Sequence, residues 1–305
     1  MSDRHVIIGA GPVGRAAADA LIARGAQVVL ASRSGKGPDV DGATRAAADA
    51  NSADSLATLA EGAAAIYNCL NPLEYWKWPE LWPPMAAALL AAAERSGAVL
   101  VTAGNLYPYG PVDGPMVEGM PDAAPGSKAQ VRAKMTTDAF ALHNAGKIRA
   151  VEVRGSDYMG AGPGQYAHIP RAIEAAVAGK TARVIGSSDL PHTWTDVRDM
   201  GRALATVAGE ESAWGRVWHA PSNEPRTQRQ AIEDVCRTVG KQPGAIKSMP
   251  RLMLTLVSPF VPVVRELKET AYQVERPYVM DSSAITKAYG LEPTPWDEVC
   301  RRTAP

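Results

Sequence analysis

A glycine-rich turn directly follows the first predicted strand of the chain. Residues 5–8 are short and apolar, as in a buried strand, and residues 9–14 read GAGPVG. In this spacing the first glycine permits a tight turn, the second admits backbone close to a pyrophosphate, and the third allows close helix–strand packing. The N-terminus of the following helix directs its free N–H groups at an anion. The alternative is a tight turn without a ligand. We predict dinucleotide contacts at Gly9, Gly11, Pro12, Val13 and Gly14.

The end of the second predicted strand bears on which dinucleotide binds. A fold that prefers NAD normally carries an acidic side chain about 20 residues after the glycine motif. Here the strand Gln27–Ala31 continues as Ser32-Arg33-Ser34, and no carboxylate occurs between Asp19 and Asp39. A guanidinium can bind two oxygens of a 2′-phosphate. We therefore predict Ser32 and Arg33 as cofactor contacts and NADP as the cofactor. NAD is the alternative if Arg33 is only a solvated loop residue.

Polar and aromatic side chains follow the fourth and fifth predicted strands, residues 65–69 and 98–102. The carboxyl ends of parallel strands meet at one edge of a sheet, where ligands bind. Phenols and amides at that edge are candidates for proton transfer and substrate contact. Packing in a proline-containing turn is the alternative for the two tyrosines. We predict Asn68 and Asn71 as cofactor contacts, Asn105 as a contact to substrate or nicotinamide, and Tyr107 and Tyr109 as possible proton donors.

Three of the seven tryptophans lie within seven positions, in the segment Trp76–Trp82. Tryptophan offers a large apolar surface, so such a cluster forms a ligand wall, an oligomer interface or part of the core. We predict that Trp76 and Trp78, with Tyr158 from the second half, contact a small-molecule substrate. A homodimer is the alternative use of the same aromatic surface.

The predicted elements that position these residues alternate between strands and helices. Strands at 5–8, 27–31, 44–48, 65–69, 98–102 and 150–154 are separated by helical stretches that include 13–24, 85–96 and 127–145. This alternation predicts an α/β fold with right-handed crossovers and a Rossmann-type doubly wound parallel sheet. We assign 1–155 to the dinucleotide-binding domain, with returning segments near 183–220. Residues 156–305 form a smaller C-terminal substrate-binding region.

Composition excludes several classes of protein. The 305 residues carry 32 basic and 32 acidic side chains, and a formal net charge of +0 argues against a nucleic-acid partner. Three distant cysteines, without a CxxC pair, indicate neither a zinc site nor a disulfide framework. No apolar run is long enough to span a membrane, and the N-terminus leaves no room for a signal peptide. We expect a cytoplasmic protein without a metal.

Five segments in the right order resemble the extended short-chain dehydrogenase/reductases, in particular the NAD-dependent epimerase/dehydratase family. They are the glycine motif, Ala48-Asp49, Val99–Gly110, Val153–Gly164 and His192–Ala203. Asp49 stands where the family has an acidic residue that contacts adenine. The resemblance implies a cofactor role for Asp49 and enzymatic activity.

The chain departs from this family at the catalytic helix. Its members usually carry a Tyr-x-x-x-Lys pair there, in which the lysine lowers the phenol pKa and holds the nicotinamide ribose. The best alignment places Lys128 at the tyrosine position and Arg132 at the lysine position, with Ala103 or Asn105 at the serine position. Residues four apart share one face of a helix. We predict that Arg132 anchors the ribose and that Lys128 protonates the substrate oxygen, unless both are surface charges.

These observations predict an NAD(P)-dependent oxidoreductase or epimerase-like enzyme that acts on a small carbonyl or alcohol. Two alternatives remain open because one fold supports many functions. The first is a sensor or scaffold that binds the cofactor without turnover, and the second is a non-redox isomerase or lyase.

Overall fold

Seven strands form the central sheet of the computed structural model, which describes residues 3–162, 168–249 and 269–305. Every strand pair in this sheet is parallel. The predicted Rossmann-type sheet is therefore confirmed. Across the sheet the order is β10 (Val217–His219), β6 (Arg149–Gly155), β5 (Val99–Asn105), β4 (Ala65–Asn68), β1 (Arg4–Ile8), β2 (Gln27–Ser32) and β3 (Ala43–Ala47).

Helices cover both faces of the sheet and give it two apolar cores. Helices α1 (Pro12–Ile22) and α6 (Val197–Gly209) pack on one face, where Leu21 and Leu204 are buried. The other core is built on helices α2 (Ala53–Leu59), α3 (Trp78–Ser96) and α4 (Ser127–Asn144), with side chains such as Leu56, Leu89 and Ala139. Strands buried on both faces are almost continuously apolar, as in Val6-Ile7-Ile8.

The second half adds two small parallel sheets beyond the carboxyl edge of the central sheet. Strand β7 (Asp157–Met159) pairs with β9 (Trp194–Asp196), and β8 (Ala182–Ile185) pairs with β11 (Ile246–Met249). Of the predicted returning segments, α6 and β10 join the central fold, whereas β8 lies in its own small sheet. The remaining helices are α5 (His168–Val177), α7 (Gln228–Thr238), α8 (Tyr272–Glu275), α9 (Ser283–Tyr289) and α10 (Trp296–Thr303). Among the described residues, no helix is both long and apolar enough to cross a membrane.

Two helices differ from the sequence predictions. Helix α2 was not predicted; Ser52 caps it by accepting a hydrogen bond from the backbone N–H of Ser55. Helix α3 begins seven residues before the predicted start, and Pro83 and Pro84 lie inside it. A proline interrupts the helical hydrogen-bond ladder and so lowers helix propensity. Burial of Trp78, Trp82 and Met85 on one face of α3 accompanies this extension.

A buried carboxylate begins helix α6. Asp196 caps the helix, since its Oδ1 accepts a hydrogen bond of 2.7 Å from the backbone N–H of Arg198. Its side chain is fully buried. Burial raises the pKa of Asp196 to about 6, against the opposing effects of the Arg198 hydrogen bond and the nearby arginines.

We predict that Asp196→Asn makes the protein more stable at pH 7.5. The folded state holds the Asp196 proton more tightly than the unfolded state, so its contribution to stability is present below about pH 4 and lost through about pH 6. Asparagine keeps a capping oxygen and cannot ionise. Urea unfolding should show a gain of about 1–3 kcal/mol at pH 7.5. The gain should vanish at pH 4; an equal effect at both pH values contradicts the prediction.

Candidate active site

The glycine-rich turn has open space at its second glycine and none at the other two. A Cβ at Gly9, whose φ is 115°, would lie 2.5 Å from the carbonyl oxygen of Cys69. A Cβ at Gly14 would overlap the carbonyl oxygen of Gly9, whereas one at Gly11 has no heavy atom within 4 Å. Gly11 is also the N-cap of α1 and offers no side chain to its free N–H groups. The turn can therefore take an anionic group directly against Gly11 and the start of α1.

The ends of β2 and β3 adjoin this turn. Gly9 donates its backbone N–H to the carbonyl of Ala31 at 2.9 Å, which places Ser32 and Arg33 next along the same edge. Arg33 is exposed, and the nearest carboxylate along the chain, Asp39, is paired with Arg45 at 2.9 Å. The edge at β2 therefore presents a guanidinium rather than a carboxylate.

Asp49 follows β3 in a turn of its own. Its backbone joins the edge through the preceding residue, because Ala48 donates its N–H to the carbonyl of Ser32 at 3.0 Å. The carboxylate is exposed, and its Oδ1 accepts a hydrogen bond of 2.9 Å from the backbone N–H of Asn51. This geometry brings Asp49 beside the β2 end, as a contact to adenine requires. The role itself stays a prediction.

Arg132 lies between the carboxyl ends of β4 and β5. It donates to the carbonyl of Ala103 at 3.4 Å and to the Oδ1 of Asn71 at 3.5 Å. Its guanidinium carbon lies 4.3 Å from the ring centre of Trp82 and 5.1 Å from that of Trp78. Burial lowers the pKa of Arg132 from its usual value, an effect that nearby Glu152 opposes. The guanidinium is a fixed positive group on an aromatic support.

Three phenols are the electrostatic neighbours of this guanidinium: Tyr75, Tyr107 and Tyr158. Burial raises the pKa of Tyr107 and Tyr158 well above the usual value. The Tyr158 ring packs against the core beside Cys69, and its hydroxyl lies close to Gly155 at the end of β6. The predicted contacts Asn71, Tyr107, Tyr158 and Arg132 are thus brought together at one edge of the sheet.

Lys128 also lies at the start of α4, but its ammonium is already paired. Its Nζ donates to Oε2 of Glu269 at 2.9 Å, and the side chain is 2% exposed. A lysine in such a pair would have to exchange this carboxylate for a substrate oxygen before it could donate a proton. The predicted proton-donor role of Lys128 therefore stays a prediction with an added requirement.

Tyr109 is held inside the fold, away from the phenols that surround Arg132. Its hydroxyl lies 2.9 Å from Nε2 of His219, and its ring lies under the guanidinium of Arg154 at 4.6 Å. The Nδ1 of His219 donates to the carbonyl of Asp281 at 2.6 Å, so Nε2 accepts the Tyr109 proton. Burial lowers the pKa of His219 and raises that of Tyr109 to about 12. These contacts describe a structural phenol.

The remaining predicted residues differ in exposure. Trp76 is 38% exposed, whereas Trp78 is buried and stacks on Tyr75 with ring centres 4.7 Å apart. Asn68 is buried and accepts a hydrogen bond from the backbone N–H of Leu70 at 3.3 Å. Asn105 accepts one from the N–H of Tyr107 at 3.2 Å, which fixes the turn after β5. Pro163 and Gly164 of the predicted 153–164 segment lie outside the described residues.

Several residues at this edge were missed from the sequence. Trp82 supports Arg132, and its spacing of four from Trp78 is the signal that could have placed both on one helix face. The carboxylate of Asp157 contributes to the raised pKa of Tyr107 and of Tyr158, and the side chain of Gln273 opposes the rise at Tyr107. Glu269 and Gln273 lie far along the chain from the other residues of this edge, and no local sequence pattern indicates that they belong to it.

A buried ion-pair network connects β6 and α4 next to the same edge of the sheet. The guanidinium of Arg154, fully buried on β6, pairs with Asp122 at 2.6 Å and with Glu152 at 2.9 Å. Glu152 also accepts a hydrogen bond from the hydroxyl of Thr136 on α4. The network therefore ties β6 to the helix that carries Arg132. In the described part of the chain, no group of three His, Cys, Asp or Glu side chains could hold a metal ion.

Comparison with known proteins shows the family to which the chain belongs. The sequence model of the NAD dependent epimerase/dehydratase family matches residues 6–218, which is more than half of the chain. The chain belongs to this family. The match spans β1 to β10 and so includes the glycine-rich turn, the Arg132 helix and the returning edge strand. A comparison with curated proteins gives no match.

Solved structures of family enzymes share the fold over almost the whole chain. A dTDP-glucose 4,6-dehydratase from Bacillus anthracis, in complex with NAD, is 15% identical with a TM-score of 0.78, covering 98% of this chain and 95% of that one. A UDP-glucose 4-epimerase from Brucella ovis, also with NAD, is 17% identical with a TM-score of 0.78, covering 99% and 97%. The corresponding epimerase from Thermus thermophilus is 16% identical with a TM-score of 0.75, covering 98% and 97%.

We predict that Tyr109→Phe destabilises the fold without weakening dinucleotide binding. The substitution leaves the Nε2 of His219 buried without a donor, at a cost of about 1–3 kcal/mol. Tyr289→Phe is the matched control, because that hydroxyl bonds an exposed serine, Ser212, at 3.0 Å. Urea unfolding of both variants, with calorimetric titration of NADPH, measures the two effects. A loss of cofactor affinity in Tyr109→Phe would place this phenol in the site instead.

Proposed function

We propose that this protein is an NADP-dependent oxidoreductase or epimerase-like enzyme that acts on a small carbonyl or alcohol substrate. One observation carries the proposal: the turn is closed to any side chain at Gly9 and Gly14, yet open at Gly11, where the uncapped start of α1 meets free space. That arrangement fits a dinucleotide pyrophosphate. Membership of the family, and the NAD bound in the structurally similar dehydratase and epimerase, support a nicotinamide cofactor.

The preference for NADP rests on the β2 end. Arg33 is exposed two residues after Ala31, whose carbonyl accepts the N–H of Gly9. The hydroxyl of Ser32 donates to the carbonyl of Lys36 in the same turn. A carboxylate at this position would repel a 2′-phosphate, whereas the planar guanidinium binds two of its oxygens. Because Asp39 is paired with Arg45, it does not offset the charge of Arg33.

Proton transfer is best assigned to the phenols around Arg132. A bound nicotinamide would supply or accept the hydride at the same edge. The half-buried Tyr107 keeps its proton at neutral pH, since partial burial raises its pKa against the opposing effect of Gln273. The guanidinium of Arg132 stabilises the phenolate that forms when Tyr107 gives its proton to the substrate oxygen. Trp78, packed beside Tyr107, is the apolar wall next to the reacting oxygen.

A cofactor-binding sensor or scaffold is the second candidate. It is favoured by Lys128, which occupies the family's tyrosine position with its ammonium paired to Glu269. The two functions differ in one assay, in which a panel of small aldehydes and ketones is offered with NADPH. Turnover of any member supports the enzyme. Tight NADPH binding without turnover supports the sensor.

We predict that Gly11→Val abolishes dinucleotide binding in a folded protein. The added side chain enters space that holds no protein atom and that the pyrophosphate would need. Calorimetric titration should show at least a hundredfold weaker NADPH binding, with little change in thermal unfolding. Gly209→Val, in equally open space at the end of α6, is the matched control. NADPH binding to Gly11→Val at parental affinity would refute the site.

We predict that Arg33→Ala weakens NADPH binding about ten- to a hundredfold and leaves NADH binding almost unchanged. Only NADPH carries the 2′-phosphate, and loss of a charge-assisted hydrogen bond costs about 1.5–3 kcal/mol. Arg183→Ala, which removes an exposed arginine from β8, controls for the change in net charge. Equal losses for NADPH and NADH would remove Arg33 from the 2′-phosphate site.

A further inference from the structure

Glu269 meets the first turn of helix α4 with three hydrogen bonds from two residues. Its carboxylate accepts from the backbone N–H of Lys128 at 2.7 Å, from Lys128 Nζ at 2.9 Å and from the hydroxyl of Ser127 at 3.0 Å. The partners are 141 residues apart in the chain. A segment of the C-terminal region is thereby fastened to the helix that carries Arg132.

The start of α4 has room for this carboxylate because its N-cap is a glycine. Gly126 has no side chain to cap the helix, and a Cβ there would lie 2.5 Å from Oε1 of Glu269. The carboxylate of Glu269 thus takes the place of a capping side chain, with the sign of charge that a helix N-terminus favours. Burial alone would raise the pKa of Glu269, but the hydrogen bonds from Lys128 outweigh it and lower that pKa.

This segment brings the side chains of Tyr272 and Gln273 close to Tyr107. They lie at the part of the sheet's carboxyl edge that holds Arg132, which we call the Arg132 edge. The side chain of Gln273 is an electrostatic neighbour of the phenols of Tyr107 and Tyr272, where it opposes the rise in the pKa of each. On its other side, the carbonyl of Gln273 lies 3.2 Å from Nδ1 of His192, and the carbonyl of Val274 accepts the N–H of Ser187 at 2.8 Å. Residues 269–275 therefore connect α4 and the β5 turn to the small sheets of the second half.

We propose that Glu269 is a positioning residue and that Lys128 is its anchor. Their pair holds residues 269–275 over the Arg132 edge, so that Gln273 fixes the phenol of Tyr107 for proton transfer. In this arrangement, the lysine at the family's tyrosine position ties the two halves together and does not donate a proton. The kinetic consequence rests on the proposed function, whereas the structural consequence does not.

Amide hydrogen exchange tests the anchor without a substrate. The N–H groups of Val274 and Glu275 bond the carbonyl of Ala271 at 3.0 and 3.1 Å and report on the segment. Lys128→Met and Glu269→Ala should each speed their exchange at least tenfold, and the double variant should add nothing further. The amide of Tyr278, bonded to Pro191, should keep its protection. Lys128→Arg, which retains the charge, should restore slow exchange.

Lys134→Met is the matched control, because it removes an exposed lysine from the same helix, paired with Asp138 at 2.9 Å. It should leave every amide unchanged. Unaltered exchange in both Lys128→Met and Glu269→Ala overturns the proposal. A uniform rise that includes Tyr278 also overturns it, since the pair would then support only global stability.

Kinetics with NADPH and the carbonyl panel then separate the two roles of Lys128. As an anchor, Lys128→Met and Glu269→Ala should lower kcat together and to a similar extent, because both free the segment that positions Tyr107, with NADPH affinity unchanged and with recovery in Lys128→Arg. Loss of kcat in Lys128→Met alone, with normal exchange at Val274, would make Lys128 the proton donor and overturn the proposal. If no carbonyl is turned over by the parent protein, the proposed function fails and the exchange experiment still decides the anchor.

Discussion

The fold depends on how closely backbone meets backbone at the first turn. The carbonyl oxygen of Gly9 occupies the place that a side chain at Gly14 would need, so α1 lies directly against the end of β1. Similar close approaches occur on both sides of this turn. A Cβ at Gly9 would lie 2.5 Å from the carbonyl oxygen of Cys69, and one at Gly201 of α6 would overlap the backbone of Ala16 in α1. These contacts draw β4, β1, α1 and α6 together. Next to these contacts, the space at Gly11 stays open.

The central fold could be predicted because its signals are local. Buried parallel strands are short apolar runs, and the glycine motif marks the first crossover, so the strand positions agree with the structure within a few residues. Helix α2 was missed because it has only seven residues, too few for its apolar side chains to show a clear helical periodicity. The start of α3 was missed because prolines argue against a helix, whereas burial of Trp78 and Trp82 favours one. In that segment tertiary packing outweighs local propensity.

The residues of the candidate site also differ in whether local sequence signals predict them. Residues that immediately follow a strand, such as Asn71, Tyr107 and Tyr158, could be placed at the edge from strand positions alone. Whether a charged side chain forms an ion pair could not be predicted in this way, because the pairing depends on residues that are distant in the sequence. Lys128 and Arg132 look equivalent in the sequence, four residues apart on one helix face. One meets Glu269, whereas the other meets two indole rings and three phenols.

This difference in surroundings determines which cation can assist chemistry at the edge. An ammonium paired with a carboxylate has little field left for a developing negative charge, because the two charges largely cancel at a distance. A guanidinium on aromatic faces keeps its full charge in a water-poor environment, where its effect on a neighbouring phenol is strong. In the function that we propose, a phenol beside Arg132 therefore serves as the acid that the aligned Lys128 does not provide. The cation at Arg132 lies among phenols from the turn at Tyr75–Lys77 before α3, from the turn after β5 and from β7. A phenol beside a cation is also the pairing that the family resemblance implies for the catalytic helix, and in the proposed function it is formed by residues from different elements.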